Sequence, residues 1–133
     1  MSSLELSLRD GRTLATVTGV TSFVGEDPSG AFGIMAGHDR FITSLVFGLA
    51  RFRCGDAPWR YLALPGGLLY FAANHLRITT RRFLIDENYD RISGRLQAEL
   101  LAEERILSGT RASLRQMEEE LLRRLWQLGR GEG

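Results

Sequence analysis

Residues 59–79 read WRYLALPGGLLYFAANHLRIT and show how the first part of this chain is built. Two turn signals, Pro65-Gly66-Gly67 and Ala73-Asn74-His75, divide the stretch into three short apolar runs. Runs of this length, bounded by Gly, Pro and Asn, are typical of β-strands joined by tight turns. The stretch therefore predicts three consecutive strands.

The same pattern extends back to the start of the chain. Residues 4–8 alternate strictly between Leu and polar residues, and Asp10-Gly11 then supplies a hairpin signal. Residues 13–23 are rich in Thr and Val, which suit a pleated surface, and residues 25–30 form a cluster of turn residues. Strands that recur every 8 to 12 residues indicate an antiparallel β-sandwich or a barrel.

From about Asp86 onwards the period of the sequence changes. Ala, Leu, Glu, Arg and Gln dominate, and apolar residues recur in steps of three and four, which predicts helices. Ser108-Gly109-Thr110 predicts a break, because Gly109 suits the residue after a helix and Thr110 suits an N-cap. The sequence thus predicts a β-sandwich domain over residues 1–84 and an antiparallel two-helix hairpin over residues 85–133.

The second predicted helix has an apolar stripe and a charged face. The stripe consists of Leu114, Met117, Leu121, Leu125 and Leu128. The charged face offers Arg115/Glu119, Glu119/Arg123 and Glu120/Arg124 at i,i+4 spacing. A helical hairpin this small, without a disulfide, cannot bury enough surface to fold alone. We therefore expect it to dock against the sandwich or against another protein.

Composition excludes several classes of protein. Seventeen basic residues, all of them Arg, face sixteen acidic ones for a net charge of +1, which argues against a nucleic-acid partner. The single cysteine, Cys54, cannot form an internal disulfide, and it has no metal-ligand spacing with His38 or His75. The longest uncharged run, residues 61–76, is too short and too interrupted to span a bilayer, and the N-terminus does not resemble a signal peptide. We expect a cytosolic protein.

No residue pattern predicts catalysis. His38-Asp39 resembles a base beside its orienting acid, but adjacent residues of an extended segment point in opposite directions and no nucleophile is placed nearby. The run Glu118-Glu119-Glu120 fits a solvated helix face better than a metal site. Four aromatic residues on the predicted strands are interpreted as core or interface residues: Trp59, Tyr61, Tyr70 and Phe71. The sequence therefore predicts no catalytic, cofactor-binding or metal-binding residues.

One stretch is more specific. Residues 30–38 read GAFGIMAGH, and Phe41, Thr43, Leu45 and Phe47-Gly48 follow. This stretch resembles the Gly-x-(Phe/Leu)-Gly-Ile-x-Pro-Gly-His motif of the epsilon subunit of F-type ATP synthases. Gly66-Gly67-Leu68 and residues 74–79 are also similar to that family, and so is the order of a β-sandwich followed by helices.

The resemblance implies a rotor subunit. The sandwich would bind the gamma subunit and rest on the ring of membrane c subunits, coupling ring rotation to ATP synthesis or hydrolysis in the alpha/beta crown. The helical hairpin would fold beside the sandwich or extend along gamma, where it restrains hydrolysis. The protein would then sit at the cytoplasmic face of the bacterial plasma membrane, attached only through the complex.

The resemblance also implies contact residues. The c-ring would face Ser29, Gly30 and Ala31, and gamma would lie near His38 and Thr43. Four arginines of the second helix would meet the catalytic beta subunits or pair with neighbouring glutamates: Arg111, Arg115, Arg123 and Arg124.

Three departures from the family pattern are visible. Ala36 stands where the motif has Pro, and we expect the turn to survive this change. Many bacterial relatives bind ATP through an (Ile/Leu)-Asp-x-x-Arg-Ala motif, but Tyr89 and Asp90 occupy the Arg and Ala places here. An acid at this point would repel phosphate, so we expect no ATP binding of that kind. The link at residues 79–84 is similar to the epsilon subunits of an alternate, sodium-type ATPase set.

Two further interpretations remain open from the sequence. The first is a free-standing β-sandwich that binds a ligand and carries a helical oligomerisation arm. The second is a small hydrolase that uses His38.

Overall fold

The computed structural model describes residues 2–131, with side chains as far as residue 127. Within these described residues, ten strands form two five-stranded sheets, which confirms the predicted β-sandwich. The strands are β1 (Leu4–Arg9), β2 (Leu14–Val20), β3 (Ser22–Asp27), β4 (Gly30–Ile34), β5 (Phe41–Leu45), β6 (Gly48–Arg53), β7 (Arg60–Leu64), β8 (Gly67–Ala72), β9 (His75–Thr80) and β10 (Leu84–Asp86).

The first sheet has the strand order β2-β1-β9-β8-β5, and the second has the order β10-β7-β6-β3-β4. Neighbouring strands are antiparallel except for β1 and β9, which run parallel in the middle of the first sheet. The edges of the first sheet are β2 and β5, and those of the second are β10 and β4.

The core lies between the sheets and follows the period-two pattern of the strands. In β1, for example, Leu4, Leu6 and Leu8 are buried while the residues between them face outwards. The largest fully buried side chains are Phe23, Phe52, Phe71, Leu4, Leu6, Leu8, Ile34, Leu62, Leu64, Leu69, Leu76 and Ile78. The strict alternation of residues 4–8 therefore places the core residues of β1.

Residues 13–23 read as one stretch of strand but belong to both sheets. Strand β2 ends at Val20 in the first sheet and β3 begins at Ser22 in the second. Thr21 makes the corner, because its backbone N–H and its hydroxyl both donate to the carbonyl of Arg53, at 2.9 and 3.1 Å. A hydroxyl residue at this point satisfies backbone groups that a corner would otherwise leave unpaired.

The helical part begins with α1 (Tyr89–Arg95) and continues through a π-helical segment (Leu96–Leu101) into α2 (Ala102–Gly131). The side chain of Asn88 caps α1 by accepting from the N–H of Arg91 at 2.8 Å. The chain divides after Leu100 into two compact units. Within the first unit, α1 packs on β7 and β10, and Ile92 and Leu100 are fully buried in a second, smaller apolar cluster.

The predicted helical hairpin is wrong, because α2 is one unbroken helix through Ser108-Gly109-Thr110. Gly109 does not adopt the positive φ that would end a helix there. A single glycine inside a helix costs about 1 kcal/mol relative to Ala, and the strong helix formers on both sides outweigh that cost. Ser108-Gly109-Thr110 has the residue types of a helix end, but the helix propensity of its neighbours keeps this segment helical.

The division after Leu100 differs from the expected boundary at residue 84. Residues 89–100 have helical periodicity, yet their apolar face completes the sandwich unit by covering Ala63 and Leu84. The assignment of separate roles to residues 1–84 and 85–133 stays a prediction.

Candidate functional site

The hairpin between β3 and β4 carries the three residues expected to face the c-ring. Ser29 and Ala31 are exposed at its tip, and Gly30 has φ of +124°, a conformation that favours glycine. The carboxylate of Asp27 organises this tip, since its Oδ1 accepts from the N–H of Ser29 at 2.9 Å and from the Ser29 hydroxyl at 2.5 Å. The exposed tip is thus held in one shape by a single buried side chain.

Asp27 also joins the two sheets. Its second oxygen accepts from the hydroxyl of Thr43 on β5 at 2.7 Å. Thr43, expected near gamma, therefore points inwards and is linked through Asp27 to Ser29 in the expected c-ring loop. Sequence reasoning missed Asp27, although the order Asp27-Pro28-Ser29-Gly30 is the usual signature of an aspartate that accepts from the backbone two residues on.

We expect Asp27→Asn to lower the free energy of unfolding at neutral pH. The variant should also lose less stability than wild type when the pH is lowered. The Ser29 hydroxyl, and then that of Thr43, hold the pKa of the Asp27 carboxyl below its ordinary value. A carboxyl with a lowered pKa in the folded state stabilises it above the unfolded pKa of about 4. That contribution is lost as the pH falls through the folded-state pKa.

The measurement is urea unfolding of wild type and Asp27→Asn at pH 7 and at pH 3. The two proteins should differ most at pH 7, and the difference should shrink as the pH falls below the ordinary pKa of an aspartate. Asp39→Asn is the matched control, because Asp39 is exposed. Equal stability of wild type and Asp27→Asn at pH 7 would show that the Asp27 bonds contribute nothing.

His38 does not form a catalytic pair. Its Nδ1 lies 2.7 Å from the backbone carbonyl of Asp39, not from the Asp39 carboxylate. The imidazole instead rests edge-on against two aromatic rings, Phe41 at 5.7 Å and Phe71 at 5.8 Å between centroids. The exposed imidazole therefore packs against the margin of the core at one end of the first sheet, and the arrangement contains no activated nucleophile.

The outer face of the first sheet carries an exposed apolar patch, here called the Ile42 patch. It consists of Ile42 on β5 and of Leu68 and Tyr70 on β8. Ile42 pairs with Tyr70, and Leu68 lies diagonally across from Ile42 on the same face. Ile42 is 63% exposed and Leu68 is 53% exposed. Large apolar side chains that stay together on a surface mark a protein interaction site.

The start of α1 lacks a phosphate-binding group at the position where the family motif would place one. Tyr89 packs edge-on against Tyr61 at 5.3 Å, and Asp90 is exposed. Asp86 is occupied by the guanidinium of Arg91 through two contacts of 2.5 and 2.6 Å. This Arg91 contact holds the pKa of the Asp86 carboxyl well below its usual range. The absence of ATP binding stays a prediction.

Helix α2 displays its four candidate arginines and most of its apolar stripe to solvent. Arg111, Arg115, Arg123 and Arg124 are all exposed. Within the part of the chain that the structure describes, none of these arginines forms an ion pair, so the expected i,i+4 pairs are not made. Exposed pairs of this kind are worth only a few tenths of a kcal/mol and cost side-chain freedom.

The apolar side chains of α2 are exposed by more than half of their surface. They include Leu114, Met117, Leu121, Leu122, Leu125 and Trp126. The side chain of Leu128, the last residue of the predicted stripe, lies outside the described residues. The structure therefore offers both a charged and an apolar surface on one helix, as a helix that binds another protein would.

Among residues 2–131 there is no cluster of His, Cys, Asp and Glu side chains that could hold a metal ion. None of the helices in this described range is long and apolar enough to cross a membrane.

Comparison with known proteins identifies the family. Residues 6–85 match the family described as ATP synthase, delta/epsilon chain, beta-sandwich domain. Over 69 residues the chain is 39% identical to "ATP synthase epsilon chain 2" of Cereibacter sphaeroides, a match that covers 50% of this chain and 47% of the relative. The chain thus spans about half the length of that curated relative.

Two solved structures share the fold. One is from the central stalk and c-ring of the Tetrahymena thermophila mitochondrial ATP synthase, with a TM-score of 0.53 and 14% identity over 63% of this chain and 69% of that chain. The other is from the OSCP/F1/c-ring assembly of the Euglena gracilis mitochondrial ATP synthase, with a TM-score of 0.61 and 18% identity over 80% of this chain and 66% of that chain. Both are similar in backbone architecture.

The family match covers more than half of the chain and coincides with the two sheets described above. It also agrees with the motif at residues 30–38, which forms β4 and the turn that presents His38. On this evidence the chain belongs to the ATP synthase delta/epsilon chain family.

Proposed function

We propose that this chain is a non-catalytic subunit of the central stalk of a rotary F-type ATP synthase. The observation that carries the proposal is the family match over residues 6–85, the whole of the β-sandwich except its first and last residues. The relative from Cereibacter sphaeroides is itself named as an epsilon chain. As a stalk subunit, the protein would help couple rotation of the c-ring to ATP synthesis or hydrolysis elsewhere in the complex.

In this proposal the sandwich has two partners. The gamma subunit covers the Ile42 patch, an exposed apolar area on β5 and β8. The Ile42–Tyr70 pair of this patch follows directly on the Phe41–Phe71 pair, against which His38 packs. The c-ring meets the β3–β4 tip at Ser29, Gly30 and Ala31, which Asp27 holds in a fixed shape. Thr43 acts indirectly, since its hydroxyl is bound to Asp27 and not presented to a partner.

Helix α2 would supply the contact with the alpha/beta crown. Its exposed arginines suit acidic segments of the beta subunits, and its apolar stripe suits a helix-in-groove contact. Binding there would restrain ATP hydrolysis. The protein would be held at the cytoplasmic face of the bacterial plasma membrane as a peripheral component of the complex.

Co-purification from the native cell tests the proposal. A tagged chain, extracted in mild detergent, should bring down the gamma subunit and the c subunit, identified by mass spectrometry. Ile42→Glu should reduce the recovered gamma by about tenfold, because it places an unpaired charge in the centre of an apolar contact. Leu14→Glu is the matched control, since Leu14 is similarly exposed on β2, the opposite edge strand of the same sheet.

Two results would contradict the proposal. Failure to recover both gamma and the c subunit with the wild-type chain would exclude a stalk role. A stable homodimer that depends on Leu114 and Leu121, seen by light scattering without any ATP synthase component in the pull-down, would favour the free-standing sandwich with an oligomerisation arm.

A further inference from the structure

The outer face of the second sheet carries a group of arginines around one tryptophan. Arg51 and Arg53 lie on β6 on either side of the fully buried Phe52, so both point away from the core. Their guanidinium carbons lie 4.6 Å and 5.7 Å from the ring centroid of Trp59. We call Arg51, Arg53 and Trp59 the arginine–tryptophan patch.

The Trp59 ring attracts both guanidinium groups without using up their donors. N–H groups that point away from the ring can still donate to a planar acceptor such as a carboxylate. The ring also fixes the side chains in place, so less conformational freedom is lost when a partner binds. The arginine–tryptophan patch is therefore preorganised to bind a carboxylate.

No carboxylate within residues 2–127 forms an ion pair with Arg51 or Arg53. Asp56, in the adjoining turn, is exposed and makes no ion pair with either of them. The Nε of Arg53 is buried and has no hydrogen-bond partner. A buried donor without an acceptor is uncommon in folded proteins and calls for an explanation.

An apolar cleft adjoins the patch. It has a volume of about 280 Å³, and Arg51, Glu26 and Tyr89 are among the residues around it. Val24 and Leu49 contribute apolar surface to its lining. A ligand that reaches Arg51 with a carboxylate can therefore place an apolar side chain in the cleft beside it.

We propose that the arginine–tryptophan patch and its cleft bind an acidic segment of another protein, one in which paired carboxylates stand next to a large apolar side chain. The charge of the patch and the apolar lining of the cleft together select this chemistry. Glu26 at the cleft disfavours a polyanion such as a nucleic acid or an anionic membrane, because it would repel a continuous negative surface. This surface is separate from the Ile42 patch, which lies on the other sheet.

Fluorescence of Trp59 tests the proposal with the full chain. Trp126→Phe leaves Trp59 as the single tryptophan, and the probe is a blocked hexapeptide, Gly-Glu-Glu-Leu-Leu-Gly. The peptide should change the emission of Trp59 in a saturable way at low salt. Its Gln-Gln counterpart should bind about tenfold more weakly, as expected when a charge-assisted bond is lost.

Variants separate binding from folding. Arg51→Gln/Arg53→Gln should weaken the affinity for the Glu peptide by at least about tenfold, so that the Glu and Gln peptides bind this variant equally weakly. Glu26→Gln should tighten the Glu peptide, because it removes a repelling carboxylate while leaving the patch intact. Arg9→Gln/Arg12→Gln, on the distant β1–β2 hairpin, should leave binding unchanged.

The proposal would be overturned if the Glu and Gln peptides bind the Trp126→Phe protein equally. It would also be overturned if the Glu peptide causes no saturable change in either that protein or its Glu26→Gln variant, because both keep Arg51 and Arg53. It would also be overturned if inorganic phosphate, phosphatidylglycerol vesicles or oligo-dT displace the bound Glu peptide at a concentration lower than the Glu peptide itself needs for half-saturation. None of these outcomes depends on recovery of gamma or the c subunit, so the patch and the stalk role can fail separately.

Discussion

Phe71→Ala is expected to destabilise the sandwich by about 3–5 kcal/mol, the usual cost of removing a buried aromatic side chain. Phe71 is fully buried in β8, and its ring supports both Phe41, its pairing partner on β5, and the edge of His38. The loss therefore opens a cavity beneath β5, the edge strand that carries Ile42. Urea unfolding followed by circular dichroism measures the change, and the midpoint of thermal unfolding should fall by about 12 °C or more.

Ile42→Ala is the matched control for Phe71→Ala. Ile42 is 63% exposed on the neighbouring strand, so its truncation should change the free energy of unfolding by no more than about 0.5 kcal/mol. The two variants should separate stability from docking, because Phe71→Ala weakens the fold whereas Ile42→Ala weakens only the contact proposed for gamma. Equal destabilisation by both would mean that Ile42 is part of the core.

Gly67→Ala is expected to cost about 3 kcal/mol, towards the upper end for overpacking, because backbone atoms cannot move aside as side chains do. A Cβ at position 67 would lie 2.7 Å from the carbonyl oxygen of Thr79 and 3.2 Å from the Cβ of Thr80. Gly67 pairs with Thr80 in the β8–β9 register, and the Thr80 hydroxyl donates a 2.6 Å hydrogen bond to the Gly66 carbonyl. Relief of the clash would require the two strands to separate.

Gly11→Ala provides the comparison for Gly67→Ala. Gly11 has no neighbour within 4 Å of a Cβ, and its φ does not lie in the range that strains an L-residue. Its substitution should leave the free energy of unfolding within about 0.5 kcal/mol of wild type. If Gly67→Ala were equally neutral in urea unfolding, the close approach of Thr79 would have no energetic consequence.

The two-sheet fold could be predicted because its information is local. Alternation along residues 4–8 and the turn residues at 65–67 and 73–75 each act over a few positions. The structure places β1 on the alternating segment and joins β7 to β8 and β8 to β9 at the two turn signals. The family motif at residues 30–38 is local as well, since its glycines shape one turn and one hairpin. The corner at Thr21 has no such local signal, because residues 13–23 have the composition of one continuous strand.

The candidate site depended on contacts between distant positions. Asp27 and Thr43 are 16 residues apart in sequence, and only the packing of β3 near β5 brings the carboxylate to the hydroxyl. Arg51 and Trp59 meet because β6 and β7 pair in a particular register. Neither contact has a sequence signature. The family resemblance points to Thr43 and the strand pattern points to Trp59, but nothing in the sequence pairs them with Asp27 and Arg51.

The sequence by itself determined that this protein has strands in its first part, predicted over residues 1–84, and helix after them, because residue periodicity and propensity act locally. The tertiary structure decided where those elements end and what they bury. Ile92 and Leu100 belong to the sandwich unit since their apolar surface is removed from water there, whereas Gly109 yields to the helix that surrounds it. Burial of apolar surface decides the first case, and the summed helix propensity of the residues around Gly109 decides the second.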